Sequence, residues 1–160
     1  MKIDVIHADY LNKLHAAHIS ELLNIYAMDP MGGGVPLREE VKKNVVKALA
    51  ARPYALSVLA YSGSKPVGLA NCFEMFSTFS CKSVLNIHDF MVVEAFRGQG
   101  ISQRLLEEVE EIAKSKGCCK ITLEVLSGNE VAKAAYRKFG FAGYELDPSA
   151  GSALFWQKTF

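Results

Sequence analysis

The sequence has no excess of charge, no cysteine framework and no long apolar run, and each absence excludes a class of protein. Its 160 residues carry 18 Lys and Arg against 17 Asp and Glu. Neutralising many phosphates takes a local excess of positive charge, so nucleic acid is not an expected partner. The four cysteines form no CxxC pair, and no His stands at zinc-finger spacing from them. Neither a disulfide framework nor a metal site is therefore predicted.

Membrane and export signals are also missing from the pattern. Nowhere do 18 apolar residues follow one another, so no membrane-spanning helix is predicted. Asp4 and Asp9 interrupt the stretch that would form the apolar part of a secretory leader. We therefore expect a cytoplasmic protein with reduced thiols. With 50% hydrophobic residues and no repeat or linker, residues 1–160 are expected to form one domain with its own core.

The order of predicted elements indicates a mixed α/β protein. Alternating apolar residues predict strands over 2–7, 54–61, 66–76, 84–93 and 120–126, and a last pair over 141–145 and 153–159. Helical spacing predicts helices over 10–27, 37–51, 101–116 and 130–139. Asp9 is expected to cap the first helix, Asp29-Pro30 is expected to end it, and the glycine-rich stretch over 31–36 is expected to hold no regular element. Short turns between the three central strands favour antiparallel neighbours.

The most informative stretch is 92–102, where a strand runs through a turn with two glycines directly into a helix. The first N–H groups of a helix have no acceptor within it, and the helix dipole adds partial positive charge, so a pyrophosphate is stabilised there. Gly98 and Gly100 let the backbone approach phosphates without a Cβ in the way. An ordinary strand-to-helix turn fits the same two glycines. The Walker A loop does not fit, because its lysine is missing, and Gln103 stands where a dinucleotide fingerprint needs glycine.

The loop resembles the acyl-coenzyme A loop of the GNAT family of N-acetyltransferases. The family pattern is Arg or Gln, any two residues, Gly, any one residue, then Gly or Ala, and the sequence reads Arg97-Gly98-Gln99-Gly100-Ile101-Ser102. Ser102 departs from the last position but is still small. The strand over 87–92 occupies the place of the family's strand before the loop. Further matches follow downstream at Asn129, Ala132, Tyr136, Gly140 and Phe141.

The resemblance implies a GNAT-like fold, with a mostly antiparallel twisted sheet of about seven strands and about four helices, and acetyl-CoA as the donor. It implies that the backbone of Phe90, Met91 and Val92 pairs with the pantetheine arm. Amides of Gly98, Gln99, Gly100, Ile101, Ser102 and Gln103 would hold the pyrophosphate, with Arg97 near the phosphates. Asn129 would bond the arm or cap its helix.

Transfer of an acetyl group to an amine poses two proton problems. An amine of ordinary pKa, about 10.4, is almost wholly protonated at pH 7, and the departing thiolate benefits from a donor. By resemblance, Tyr136 is the candidate acid; a core aromatic is its alternative role. His88 and Asp89 stand where polyamine and thialysine acetyltransferases carry Glu-Asp, and are the candidate bases, although both residue types also serve structural roles in strands. Adjacent strand residues point to opposite faces, so at most one is expected to face the acetyl group. Glu74 and Glu124 are further options.

The sequence thus predicts an acyl-CoA-dependent N-acyltransferase acting on a primary amine by direct attack, with a small amine favoured. Two alternatives stay open: a non-catalytic acyl-CoA sensor, and a transferase acting on a protein lysine or N-terminus. The acceptor would be recognised by residues 29–36 and 73–79, whose glycines and aromatic side chains suit a lid and a cationic amine. No metal, nucleic acid or membrane partner is expected, and a homodimer is typical of the resembled family.

Overall fold

The computed structural model describes residues 2–160. Within this range the chain forms one five-stranded sheet and four α-helices. The strands are β1 (Ile3–His7), β2 (Ala55–Ser62), β3 (Lys65–Ser77), β4 (Lys82–Val92) and β5 (Lys120–Leu123). The helices are α1 (Lys13–Met28), α2 (Glu39–Ala50), α3 (Ile101–Ser115) and α4 (Glu130–Phe139). No helix in the described range is long and apolar enough to cross a membrane.

The sheet runs in chain order from β1 to β5, and its last pair differs from the rest. The pairs from β1 to β4 are antiparallel, as their short connections predict, while β5 lies parallel to β4. The β4–β5 pairing extends only from Val84 opposite Lys120 to Ile87 opposite Leu123. Because β4 continues to Val92, the two strands part after Ile87, and on one side of residues 88–92 no strand of the described range lies beside them.

Two apolar clusters hold the layers together, one on each face of the sheet. On one face, Ile19 and Leu22 of α1 and residues of α2 pack against Leu59 and Leu69. On the other, α3 packs Leu105 and its neighbours against β2, β3 and β4. This second approach is close, because a Cβ on Gly68 of β3 would lie 2.9 Å from the Leu105 side chain. The glycine therefore sets how near α3, which begins at the glycine turn, sits to the sheet.

The strands predicted over 141–145 and 153–159 do not form, and this prediction is wrong. Residues 141–160 carry a single 3-10 turn at Pro148–Ala150, and the sheet has five strands rather than about seven. Phe155 and Trp156 are 76% and 84% exposed. Alternating apolar residues make a strand only where a neighbouring edge and a buried face are available to them, and this segment meets neither.

Two local predictions also need correction. Asp9 does not cap α1; its carboxylate accepts from the Leu11 amide, and Asn12 caps the helix by accepting from the amides of Leu14 and His15. Asn12 stands directly before the first helical residue, which is where a cap must lie. The loop after α1 is not wholly irregular, because Pro30–Gly32 forms a 3-10 turn capped by Asp29.

Candidate active site

The turn between β4 and α3 presents a row of backbone N–H groups with no partner. Gly98 and Gly100 adopt φ of 75° and 80°, a region that favours glycine, and Gly100 caps α3 without any side-chain hydrogen bond. Within residues 2–160 no oxygen accepts a hydrogen bond from the amides of residues 98–103. A Cβ on either glycine would meet nothing within 4 Å, so the space in front of the turn is open. The turn can therefore receive an anion.

The gap between the parting strands leads from this turn toward α4. Phe90 and Met91 pair with β3 on one side, while on the other side β5 has already ended. Backbone groups in an unpaired strand edge can bond an extended ligand as if it were another strand. The gap is thus suited to a linear arm with amide groups, such as pantetheine.

Tyr136 of α4 lies at this gap. Its ring packs edge-on against Phe90, with centroids 5.7 Å apart, and against Phe141 at 5.9 Å. Burial, and secondarily the phenol of Tyr26, raises the pKa of Tyr136 to about 12. Tyr136 thus belongs to the core, as its alternative role supposed.

Two contacts hold α4, and with it Tyr136, in place. Asn129 caps the helix, its side-chain oxygen accepting from the Ala132 amide at 3.1 Å. Gln103 in the first turn of α3 donates from Nε2 to the Ala135 carbonyl at 3.0 Å. The helix that offers its amides to an anion is therefore tied to the helix that carries the candidate acid.

A β-bulge places both candidate bases on one face of the sheet. Asn71 pairs with Asp89, and the next residue, Cys72, pairs with Ile87, so His88 is an extra residue in β4. The His88 ring lies edge-on to Phe73, 5.4 Å between centroids, and Asn71 Nδ2 donates to Asp89 Oδ2 at 3.0 Å. Asn71 and Phe73 share a face, being two residues apart. The strict alternation behind the expectation that at most one of the pair faces the acetyl group therefore does not hold here, because a bulge interrupts it.

Asp89 has no cationic partner within the described chain. No Lys, Arg or His nitrogen of residues 2–160 forms a salt bridge with it. Its charge instead acts on Tyr26 of α1, whose pKa is raised chiefly by burial and then by Asp89 and Asp29. Tyr26 was not singled out from the sequence. Its place in the last turn of α1, just before the glycine-rich loop, is the signal that could have identified it.

Arg97, a predicted phosphate contact, is turned toward the loop after α1. Its Nη2 lies 2.7 Å from Asp29 Oδ2, and its Nε donates to the Val92 carbonyl at 3.0 Å. The bond from Arg97, followed by that from the Met31 amide, lowers the pKa of Asp29. Arg97 thus connects the end of β4 and the glycine turn to the start of the predicted acceptor loop.

The Glu74 carboxylate is already paired with a lysine and lies on the opposite face of the sheet from Asp89. It accepts from Ser83 Oγ at 2.7 Å and from Lys116 Nζ at 2.9 Å, and these two bonds lower its pKa. Glu74 is two residues from Cys72, which packs in the cluster beneath α3, so its side chain lies on the α3 face. A carboxylate paired with lysine on the opposite face is poorly placed to act as the base. Glu124 lies just beyond β5 and is exposed.

A cavity of about 290 Å³ lies between the end of α3, β5 and the end of α4, lined by Cys118, Ile121 and Phe141 among others. It adjoins the C-terminal end of α3, whereas the free amides stand at the N-terminal end. It is therefore separate from the glycine turn, although Phe141 of its lining also packs against Tyr136.

Comparison with known proteins agrees with this geometry. The model of the "Acetyltransferase (GNAT) family" matches residues 19–141. Thialysine N-epsilon-acetyltransferase of Mus musculus is 35% identical over 78 residues, which are 49% of this chain and 45% of that protein. The chain thus matches less than half of the length of this curated relative.

Solved structures share the fold over 92% to 100% of the chain. AAC(6')-Iy in complex with the bisubstrate analog CoA-S-monomethyl-acetylneamine superposes with a TM-score of 0.78 at 17% identity, covering 100% of both chains. An aminoglycoside acetyltransferase from an uncultured soil metagenomic sample gives a TM-score of 0.73 at 23% identity, covering 92% of this chain and 96% of the other. At such identities the likeness concerns the fold alone.

Proposed function

The chain belongs to the GNAT family of acetyltransferases, and we propose that it transfers an acetyl group from acetyl-CoA to a primary amine of a small molecule. The observation that carries this proposal is the run of unpartnered amides over residues 98–103. They begin a helix and stand beside a gap in the sheet that a pantetheine arm could fill. When bound, acetyl-CoA would supply the reactive thioester, and the protein residues would hold and orient it.

Tyr136 is proposed to act as a hydrogen-bond donor to the developing negative charge. Its pKa of about 12 lies well above that of an ordinary thiol, about 8.5. Full proton transfer to a thiolate of that pKa would therefore be uphill by about 5 kcal/mol. The hydroxyl can instead stabilise charge while it keeps its proton. This refines the role of general acid that the sequence predicts for Tyr136.

Asp89 and His88 are proposed to act on the acceptor. An amine of pKa about 10.4 is neutral in only about one molecule in 2,500 at pH 7, a cost of about 4.6 kcal/mol. Asp89, a carboxylate with no cation beside it, can bind the ammonium form. His88 is exposed on the same face and can take the proton and return it to water. In this proposal Asp89 recognises the ammonium form of the acceptor, and His88 transfers its proton.

The surface beside these residues also suits a cationic acceptor. Tyr54, Phe73 and His88 follow one another across the strands, with ring centroids 6.3 Å and 5.4 Å apart. Aromatic faces attract ammonium groups, most strongly where water is partly excluded. A small amine with an apolar or extended body is therefore the proposed acceptor class.

A panel of amines tests the proposal. Consumption of acetyl-CoA would be followed with diamines, amino acids, aminoglycosides and lysine-containing peptides at equal concentration. Turnover of small amines exceeding that of peptides supports the proposal. Faster turnover of peptides would favour a protein acetyltransferase, and binding of acetyl-CoA without turnover of any amine would favour the sensor. A cytoplasmic location and a homodimer stay predictions.

A further inference from the structure

Polar side chains form one continuous row across three neighbouring strands, ending at Asp89. Ser57 of β2 stands directly opposite Asn71 of β3, which stands directly opposite Asp89 of β4. Ser57 Oγ lies 2.6 Å from Asn71 Oδ1, and Asn71 Nδ2 lies 3.0 Å from Asp89 Oδ2. At the other end the Tyr10 hydroxyl lies 2.9 Å from Ser57 Oγ. The row thus runs from the loop before α1 to the site.

Counting hydrogens gives the row a single direction. An ionised Asp89 has no hydrogen to give, so the Asn71 amide donates to it and turns its oxygen toward β2. That oxygen accepts the only hydrogen of the Ser57 hydroxyl. Ser57 must then accept from Tyr10, although the distance alone leaves that bond open. Each of the three hydrogen bonds of the row is therefore donated in the direction of Asp89.

The row is more than is needed to stabilise the sheet. Ser57 and Asn71 are 0% and 2% exposed, and their neighbours on the same face, Leu59 and Leu69, are apolar. Buried polar groups must be fully bonded to be tolerated, and apolar residues of similar size would pack at least as well. A need to hold the Asp89 carboxylate in one orientation would explain why Ser57 and Asn71 are polar.

We propose that Asn71, Ser57 and Tyr10 are positioning residues that hold the Asp89 carboxylate in one orientation, aimed at the protonated acceptor amine. This rests on the proposed function. The substrate class follows from the unpaired carboxylate: an acceptor that arrives as an ammonium ion, in preference to a neutral aromatic amine or an alcohol. The row acts through Asp89 and touches neither the acceptor nor the thioester.

A double-mutant cycle tests the proposal on the intact protein, with the best amine of the panel as acceptor. Asp89→Asn is expected to raise the acceptor KM by about 10- to 100-fold, because a bond to a charged group is lost. Ser57→Ala is expected to raise it about fivefold, the value of one neutral hydrogen bond, with the KM for acetyl-CoA unchanged. In the Asp89→Asn background, Ser57→Ala is expected to have no further effect. An equal effect of Ser57→Ala in both backgrounds would overturn the proposal.

The matched control is Tyr61→Phe. The Tyr61 hydroxyl also makes a 2.9 Å hydrogen bond, to His18 Nδ1. Tyr61 packs in the same apolar cluster as Tyr10 but lies outside the row. Tyr10→Phe is expected to raise the acceptor KM and Tyr61→Phe to leave it unchanged. Equal effects of the two would assign the loss to general destabilisation and overturn the proposal.

A second measurement needs no turnover and separates this proposal from the proposed function. The side-chain amide resonance of Asn71 is expected to shift in Ser57→Ala, Tyr10→Phe and Asp89→Asn and to stay in place in Tyr61→Phe. If these shifts are seen but the protein acetylates no amine, the hydrogen-bonded row is supported and the proposed function is contradicted. If the Asn71 side-chain amide resonance stays in place in both Ser57→Ala and Asp89→Asn, the hydrogen bonds of the row are contradicted.

Discussion

His88 and Asp89 are neighbours in strand β4, and their side chains lie on the same face of the sheet. His88 contacts Phe73, and Asp89 is bonded by Asn71, two residues away from Phe73 on the same strand. The bulge between them makes this possible, because one residue of β4 has no partner in β3. A carboxylate that can bind an ammonium ion and an imidazole that can take its proton are thereby presented to one acceptor.

We predict that His88→Gln and Asp89→Asn affect different kinetic constants. His88→Gln removes a proton acceptor, so kcat is expected to fall by about 100-fold or more with little change in the acceptor KM. Asp89→Asn removes the charge that attracts the ammonium ion, so its main effect is expected on the acceptor KM. Steady-state kinetics at saturating acetyl-CoA distinguish the two. Equal losses of kcat in both variants, with KM unchanged, would contradict the division of roles.

Tyr136→Phe is predicted to lower kcat by about 10- to 100-fold, because one donor to the developing charge is lost. Affinity for CoA should be retained, since the contacts with Phe90 and Phe141 involve the ring. Because burial raises the pKa of Tyr136 from 10.0 to about 12, the hydroxyl keeps its proton at all lower pH. The ratio of wild-type to variant kcat should therefore be constant between about pH 6 and pH 9. A ratio that changes tenfold across this range would show that Tyr136 gives up its proton.

The same raised pKa has a consequence for stability. Burial of the neutral phenol contributes fully below pH 10, and this contribution is lost as pH rises from 10 through about 12, because the folded state then resists ionisation. Alkaline unfolding is expected to begin at higher pH in Tyr136→Phe than in the wild type. Thermal melts between about pH 9 and pH 12, monitored by circular dichroism, show whether the wild type loses stability at lower pH than Tyr136→Phe.

Gly100→Ala is predicted to weaken CoA binding by about 5- to 30-fold, because the left-handed conformation costs an alanine about 1–2 kcal/mol and the variant turn relaxes away from it. No clash contributes, since a Cβ there meets nothing within 4 Å. Gly117→Ala at the other end of α3 is the matched control, with φ of 69° and an equally open Cβ position. Both variants should lose similar stability, and only Gly100→Ala should lose affinity by calorimetry. If Gly100→Ala and Gly117→Ala bind CoA with equal affinity, the turn at Gly100 does not take part in CoA binding.

Breaking the Arg97–Asp29 ion pair from either side is predicted to have the same modest effect. Arg97→Gln and Asp29→Asn should each change the acceptor KM by about fivefold or less, since the Arg97 side chain is 47% exposed and solvent weakens the pair. The double variant should behave like either single one. A loss of CoA affinity in Arg97→Gln that Asp29→Asn does not share would instead support the direct phosphate contact that the sequence predicts.

The thiols are predicted to react in an order set by burial. Cys81 and Cys119 are exposed, whereas Cys72 is fully buried, and burial raises its pKa to about 12. An aromatic disulfide reagent should label the exposed pair quickly and Cys72 only on unfolding, because the thiolate is the reactive form. Fast labelling of Cys72 in a Cys81→Ser, Cys118→Ser, Cys119→Ser background, which removes the half-buried Cys118 as well, would contradict the core described here.

The regular elements and the glycine turn could be predicted from local sequence, because periodicity, caps and turn residues act within a few positions of one another. The bulge could not, because it depends on which residue of β3 faces which residue of β4. The row at Ser57, Asn71 and Asp89 left only a faint signal, because β3 and β4 carry other polar residues besides these. Residues 153–159 show the opposite failure, since their alternation lacks a neighbouring strand to pair with.

The proposed activity depends on the amides of residues 98–103, which would hold the diphosphate of acetyl-CoA. Backbone amide NMR tests this role most directly, with acetyl-CoA compared against S-acetylpantetheine, which has the same thioester arm and no diphosphate. Large shifts of the residue 98–103 signals are expected with acetyl-CoA, and small ones with S-acetylpantetheine. Saturable binding of acetyl-CoA that leaves these six signals in place would contradict this role.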